Sequence, residues 1–264
     1  MKSISLMPAS VARAIRWALT DVDDTLTEGG ILVPEAYAAM CALSGAGIPV
    51  IAVTGRSAGW AEVHLREWPV VAVIAENGAV SYALGPDGAR KTIVHPTARP
   101  NTDPALARAA ENAYRAVPRA RPAEDNRLRL YDYAIDHAER VSPPLAEGEV
   151  SAIVGAFERE GANAKPSSIH VNCWIGSFDK RAAAVALLSG LYGYDDGADR
   201  DKVLYVGDAL NDEPMFAHFP ASCAVANVDR WVERMGSRPA WVSSERYGAG
   251  FADIARRVLA LRGE

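Results

Sequence analysis

Three aspartates crowd into four positions at Asp21-Val22-Asp23-Asp24, with Thr25 directly after them. Apolar residues lead up to them through Trp17-Ala18-Leu19. A strand alternates faces with period two, so Asp21 and Asp23 start on the same side. Thr25 and Gly29-Gly30 end the run. The C-terminal tips of buried parallel strands are where open α/β sheets bind ligands. Carboxylates there are costly unless a cation or hydrogen bonds compensate them. The bland alternative is an acidic turn that caps a helix, because Asp is common in turns.

Three further places separate those readings. Thr54-Gly55-Arg56 follows the apolar run Ile48 to Val53, Lys180 follows Asp179, and Asp208, Asn211 and Asp212 follow Val203 to Val206. A parallel sheet gathers its strand C-termini on one edge, so these loops can converge. Several carboxylates in one place call for a cation, and all-oxygen ligands suit Mg²⁺. Lys180 adds a point charge, and the Thr54 hydroxyl with nearby backbone amides adds donors. Together they describe a phosphate pocket. Attack by Asp21 on a phosphate ester brings like charges together, at roughly 4 kcal/mol per unit pair at ~4 Å and an effective dielectric of ~20. A divalent ion and a lysine offset that. Asp23 is placed to protonate the leaving alkoxide and then activate water, which is worth about 10²–10⁴ in rate. Carboxylate nucleophiles that form aspartyl phosphates are an established class.

These four stretches, in this order, resemble the motifs of the haloacid dehalogenase superfamily. Asp-x-Asp-x-Thr is matched by Asp21 to Thr25, the strand ending in Thr by Val53-Thr54-Gly55-Arg56, the lysine by Lys180, and Gly-Asp-x-x-Asn-Asp by Gly207 to Asp212. The resemblance implies a role for each. Asp21 is the nucleophile with one oxygen on Mg²⁺. Asp23 is the acid/base and lends its backbone carbonyl to the metal. Thr54, Gly55 and Lys180 bind the transferring phosphoryl group. Asn211 touches phosphate or metal-bound water. Asp208 is a direct metal ligand, and Asp212 a direct or water-bridged one. Asp24 stands where the superfamily more commonly has Gly, and it has no assigned job.

The elements that must position these residues follow from periodicity. Ile15 to Leu19, Ile48 to Val53, Val70 to Ala75 and Val203 to Val206 are short apolar runs, the pattern of strands buried on both faces. Pro34 opens a helix, with Ala36, Ala39, Met40 and Leu43 at helical spacing, and 57–67 reads as another. Alternating β and α units of this length imply a doubly wound parallel sheet, an α/β fold. Asp179 is a plausible N-cap for a helix running to Leu191. Cys223 to Ala226 and Ala240 to Val242 read as strands, 229–235 as a helix and 250–261 as the last helix.

The pattern changes between these halves. Ala79 to Leu84 and Lys91 to Val94 flank Gly85-Pro86-Asp87-Gly88, a hairpin signature. Helices fit 104–117 and 147–160, while Arg127 to Ile135 and Ser168 to Ile175 alternate as half-exposed strands. The expected division is a core of 1–82 and 178–264 with an inserted α+β unit at 83–177. An insert at that place resembles the type IIB cap of the superfamily, similar to sucrose-phosphate and mannosyl-3-phosphoglycerate phosphatases. His170, Asn172 and Trp174 lie at alternate positions, so they can face the site and grip a sugar, or pack on the cap helices. Arg129 is a weaker candidate of the same kind, and His64, His95, His137 and His218 show no ligand spacing.

The totals set bounds. Of 264 residues, 49% are hydrophobic and 23% charged, ordinary for a globular protein, and the net charge of −5 argues against binding a nucleic-acid backbone. Three widely spaced cysteines make neither a disulfide framework nor a zinc pattern. No apolar run approaches the ~20 residues of a membrane span. Residues 1–16 weakly resemble a signal peptide, yet cleavage near Ala18 would remove the strand that carries Asp21. The expectation is a cytoplasmic Mg²⁺-dependent phosphatase acting on a small phosphate ester, which the resemblance implies to be a sugar phosphate. A phosphosugar mutase is the alternative. A receiver-like phospho-acceptor module fits less well, being far shorter and lacking the second acid and the insert.

Overall fold

A computed structural model describes residues 1–85 and 88–263. Pro86 and Asp87 of the expected hairpin turn lie outside the described residues. In chain order the strands are β1 (Lys2–Ser3), β2 (Trp17–Thr20), β3 (Thr27–Glu28), β4 (Ile31–Leu32), β5 (Val50–Val53), β6 (Ala72–Ala75), β7 (Val80–Leu84) and β8 (Arg90–Val94). They continue as β9 (Arg121–Pro122), β10 (Asp132–Asp136), β11 (Asn163–Pro166), β12 (His170–Trp174), β13 (Val203–Gly207), β14 (Ala221–Ala224) and β15 (Trp241–Val242). The helices are α1 (Ala9–Ala14), α2 (Pro34–Gly45), α3 (Ala58–Glu67), α4 (Pro104–Ala116), α5 (Glu147–Arg159), α6 (Lys180–Leu191), α7 (Glu213–His218) and α8 (Tyr247–Arg262).

Among the described residues, nine strands form one sheet in the order β1-β15-β14-β13-β2-β5-β6-β7-β8. Neighbours from β1 through β6 run parallel, and β7 and β8 add an antiparallel hairpin at the far edge. The strands are buried on both faces because their side chains alternate between two apolar layers. Ala18, Val50, Ala52, Val73 and Val206 pack on one side with residues of α1, α2, α3 and α8. Leu19, Ile51, Val53, Ile74 and Tyr205 pack on the other with α6 and α7. This is the expected doubly wound α/β sheet.

A second, antiparallel sheet in the order β11-β12-β10-β9 packs on α4 and α5 through Leu106, Ala113, Ile135, Phe157 and Val171. It forms the inserted cap. The hairpin shifts its boundary: β8 pairs along β7 in the main sheet, so residues through Val94 belong with the core rather than with an insert starting at 83.

Two local expectations change. The strand expected over Arg127 to Ile135 begins only at Asp132, after a 3-10 turn at Glu124–Leu128. The amides of Leu130, Tyr131 and Asp132 are drawn instead to the Glu76 carboxylate. The helix expected near 229–235 is two 3-10 turns, Ala226–Arg230 and Val232–Arg234, that meet at Trp231.

Candidate active site

The loops after β2, β5 and β13 meet on one edge of the sheet, as parallel strands require. Register brings the first and last together: Thr20 pairs with Val206, and the Asp21 amide donates to the Val206 carbonyl at 2.8 Å. Asp21 therefore sits beside Gly207-Asp208. Lys180 arrives from the opposite layer at the first turn of α6, whose N-cap Asp179 accepts the Ala182 amide at 2.6 Å. Its ammonium lies 2.6 Å from Asp21 Oδ1 and 2.6 Å from Asp212 Oδ1. Asp21, Asp208, Asp212 and Lys180 are all buried.

Asp212 is the most firmly held of the three carboxylates. Its Oδ1 also accepts the Tyr205 hydroxyl at 2.6 Å, and its Oδ2 accepts the amides of Asp208 (2.9 Å) and Ala209 (3.1 Å). This fold-back needs Gly207, because a Cβ there would stand 2.5 Å from Asp212 Oδ2. Asp208 accepts Thr25 Oγ1 on one oxygen (3.2 Å) and Asn227 Nδ2 on the other (2.9 Å).

One ammonium faces three buried acids. Burial, the foremost cause, together with repulsion from Asp212 and Asp23 pushes Asp21 up to about 8, against the pull of Lys180. Burial and the neighbouring Asp21 and Asp212 carboxylates push Asp208 well above the usual range. Lys180 moves up too, because its attraction to the two aspartates outweighs its burial. Oxygens of Asp21, Asp208 and Asp212 lie within 4.8 Å of one another. An all-oxygen donor set with excess negative charge fits a divalent cation. Asp21 and Asp208 are the freer donors, since Asp212 already accepts two hydrogen bonds on each oxygen, Asp208 only one on each, and Asp21 the Lys180 ammonium on one.

Asp23 stands apart from that cluster. Arg56 holds it through Nε (2.8 Å) and Nη2 (2.5 Å) on Oδ1. Thr54 is buried, and its hydroxyl accepts the Arg56 amide at 2.9 Å. Gly55 lies under the cap: a Cβ there would meet Asn172 Nδ2 at 2.9 Å. Asp24 has left-handed backbone (φ 57°), and burial raises its carboxyl against the opposing pull of Arg230 and of a hydrogen bond from Ser168 of the cap.

The cap closes onto this edge. His170 and Asn172 border a gap of about 10 Å³ with Asp21, Asp23, Gly55, Asp208 and Asn211. Trp174, the third residue of that alternating set, lines a separate cavity of about 550 Å³ that also touches Lys180 and Asn211. Arg129 is fully engaged inside the protein. Its Nη1 donates to the Gly55 carbonyl and to Asp132 (2.9 Å each), and its Nε and Nη2 donate to Asp125 (3.1 Å each).

Three contributors escaped the reading of the sequence. Tyr205 was hidden in an apolar run. Asn227 follows a strand with no motif around it. Glu76 reads equally as a turn residue or a substrate contact, yet its carboxylate takes the amides of Ala58, Leu130, Tyr131 and Asp132 at 2.7–3.1 Å, stapling core to cap.

No protein-family model and no curated protein matches the chain. Solved structures do. Thermoplasma acidophilum 0175 superposes with a TM-score of 0.71 at 21% identity, over 94% of this chain and 99% of that one. BT4131, described as a HAD subclass IIB sugar phosphatase, gives 0.62 at 13% identity over 93% and 99%. BT1666 from Bacteroides thetaiotaomicron, described among phosphatases of the HAD superfamily, gives 0.61 at 17% identity over 96% and 98%. The chain shares the fold of these structures. The likeness spans core and cap, so the HAD-like arrangement includes the inserted sheet that covers Asp21. Within that HAD-like core, each of the four sequence motifs lies at the same sheet edge.

Proposed function

We propose that this chain is a Mg²⁺-dependent phosphomonoesterase that acts on a small phosphorylated metabolite through an aspartyl-phosphate intermediate. The observation that carries this reading is Lys180 bridging Asp21 and Asp212, with Asp208 beside them. A buried carboxylate next to a buried ammonium and a cation-type donor set is suited to meet an anionic electrophile.

The cation would be held by Asp21 and Asp208, with Asp212 supporting, and would supply charge neutralisation as the phosphoryl group approaches. Asp21 attacks phosphorus with one carboxylate oxygen. The ester P–O bond breaks, and the leaving oxygen takes a proton from Asp23. Asp23 then removes a proton from water, whose oxygen attacks phosphorus and releases Asp21 and inorganic phosphate. Lys180, the Gly55 amide and the Thr54 hydroxyl, whose own proton is free to donate once it accepts from Arg56, are assigned to the phosphoryl oxygens. Asn211, with a buried Oδ1 that has no partner among the described residues, is assigned to phosphate or bound water.

The leaving group must lie on the side of Asp23, because a general acid has to reach the leaving oxygen. Arg56, the partner of Asp23, lines a recess of about 170 Å³ with Trp60, Glu139 and His170. The His170–Glu139 pair (2.9 Å) and the indole of Trp60 offer polar groups and a flat apolar face, which suit a sugar-sized polyol. His170 and Asn172 are thus assigned to substrate. Trp174 lies toward the other cavity, and Arg129 is read as a strut. The small gap over Asp21 means the cap must lift to admit substrate. The free cysteines favour a reducing, cytoplasmic setting. No helix among the described residues is long and apolar enough to cross a membrane.

The test is a phosphate-release screen over phosphorylated sugars with Mg²⁺, using Asp21→Asn as the blank. Release that needs Asp21 and stops in EDTA supports the reading; near-wild-type release by Asp21→Asn ends it. Isomer interconversion that depends on a bisphosphate activator, with little free phosphate, would indicate a mutase.

A further inference from the structure

We propose that Asn227 is a positioning residue that sets the cation affinity of this site by fixing the Asp208 carboxylate. The proposal rests on the reading of Asp21 and Asp208 as cation ligands. Asn227 lies on the loop after β14 and is fully buried. Its Nδ2 donates to Asp208 Oδ2 and to the Asp24 carbonyl, both at 2.9 Å. Its Oδ1 accepts the Tyr247 amide at 3.0 Å. Both donor positions of the amide are used, and its oxygen is engaged as well.

Two of those partners have unusual backbone. Asp24 (φ 57°) and Tyr247 (φ 53°) are both left-handed without being glycine. Such conformations persist where the surroundings over-determine them. One side chain therefore ties together the loop that follows Asp21, the start of α8 and a candidate ligand. Thr25 holds the other oxygen of Asp208 at 3.2 Å. Pinned from both sides, the carboxylate cannot swing, and its remaining lone pairs stay near Asp21. Partners that orient a metal ligand typically contribute about 10–100-fold in affinity. A residue that only docked α8 would leave that affinity unchanged.

The experiment is calorimetric titration of the full chain with Mg²⁺ alone, without substrate, alongside thermal melts in EDTA. Asn227→Ala is expected to weaken Mg²⁺ binding by about tenfold or more. Should that variant fail to fold, Asn227→Ser, which fills more of the site but cannot span both acceptors, is expected to show the same loss. A folded variant that binds Mg²⁺ within about twofold of wild type, with only its EDTA melt lowered, overturns the proposal. A wild-type chain that binds no Mg²⁺ overturns it as well, together with the metal part of the functional reading. The turnover test on Asp21→Asn then judges the covalent step separately.

Discussion

The Lys180 ammonium lies 2.6 Å from Asp21 Oδ1, although 159 residues of chain separate them. The cap is inserted between these two positions, so the pair closes the core around it. Breaking a buried pair leaves an uncompensated charge. Lys180→Met is therefore expected to lower turnover by about 10²-fold or more at saturating Mg²⁺, because the proposed reaction assigns Lys180 as a donor to the transferring group. Steady-state phosphate release measures it, and a loss under threefold would remove Lys180 from the reaction.

Metal-free stability should fall as pH rises through neutrality. Asp21 is pushed up to about 8 in the fold, from an unfolded value near 4. Between these values the folded chain holds a proton that the unfolded chain has lost, so stability drops with increasing pH. Burial moves Asp208 in the same direction. Melts in EDTA are expected to be lower at pH 9 than at pH 7, by about 1 kcal/mol or more. Excess Mg²⁺ should flatten the difference. An EDTA melt that rises over this range would contradict the charge balance described for the site.

His64 gives the opposite slope in acid. It stacks against Trp68 at 3.8 Å and Trp60 at 5.8 Å between ring centroids, with both ring nitrogens buried and without a hydrogen-bond partner among the described residues. Burial lowers it to about 4, so the unfolded chain takes up a proton first as pH falls below 6.5. The stability lost between those values is about 3 kcal/mol. His64→Phe should remove much of that decline in denaturant titrations at pH 7 and pH 4.5.

Glu76→Gln should loosen the joint between core and cap. The carboxylate accepts four amides, and a glutamine must turn an NH₂ group toward donors. The expected cost is about 2–3 kcal/mol, since hydrogen bonds to charged groups are the stronger ones. Amide exchange at Ala58, Leu130, Tyr131 and Asp132 should accelerate more than exchange in β5 or β13. Uniform protection across the chain would show that the staple carries no such role.

The placement of the candidate site residues on one edge was legible from spacing. Apolar runs of strand length ending in Asp21, Thr54 and Asp208 place those groups on one sheet edge, since parallel strands share a direction. Asp179 announced the helix start that delivers Lys180. What spacing could not reveal were the partners: Tyr205 on Asp212, Asn227 on Asp208, Arg56 on Asp23, and Glu76 and Arg129 across the cap joint. Each is a side chain whose type supplies donors or acceptors without saying where they point. Alternation puts Tyr205 on the face of its strand that packs on α6 and α7, but its hydroxyl finds Asp212 only because Gly207 lets the next loop fold back. Local sequence determined which elements form and which groups they carry to the edge. Tertiary packing decided which of those groups hold one another, because that depends on distances between segments far apart in the chain.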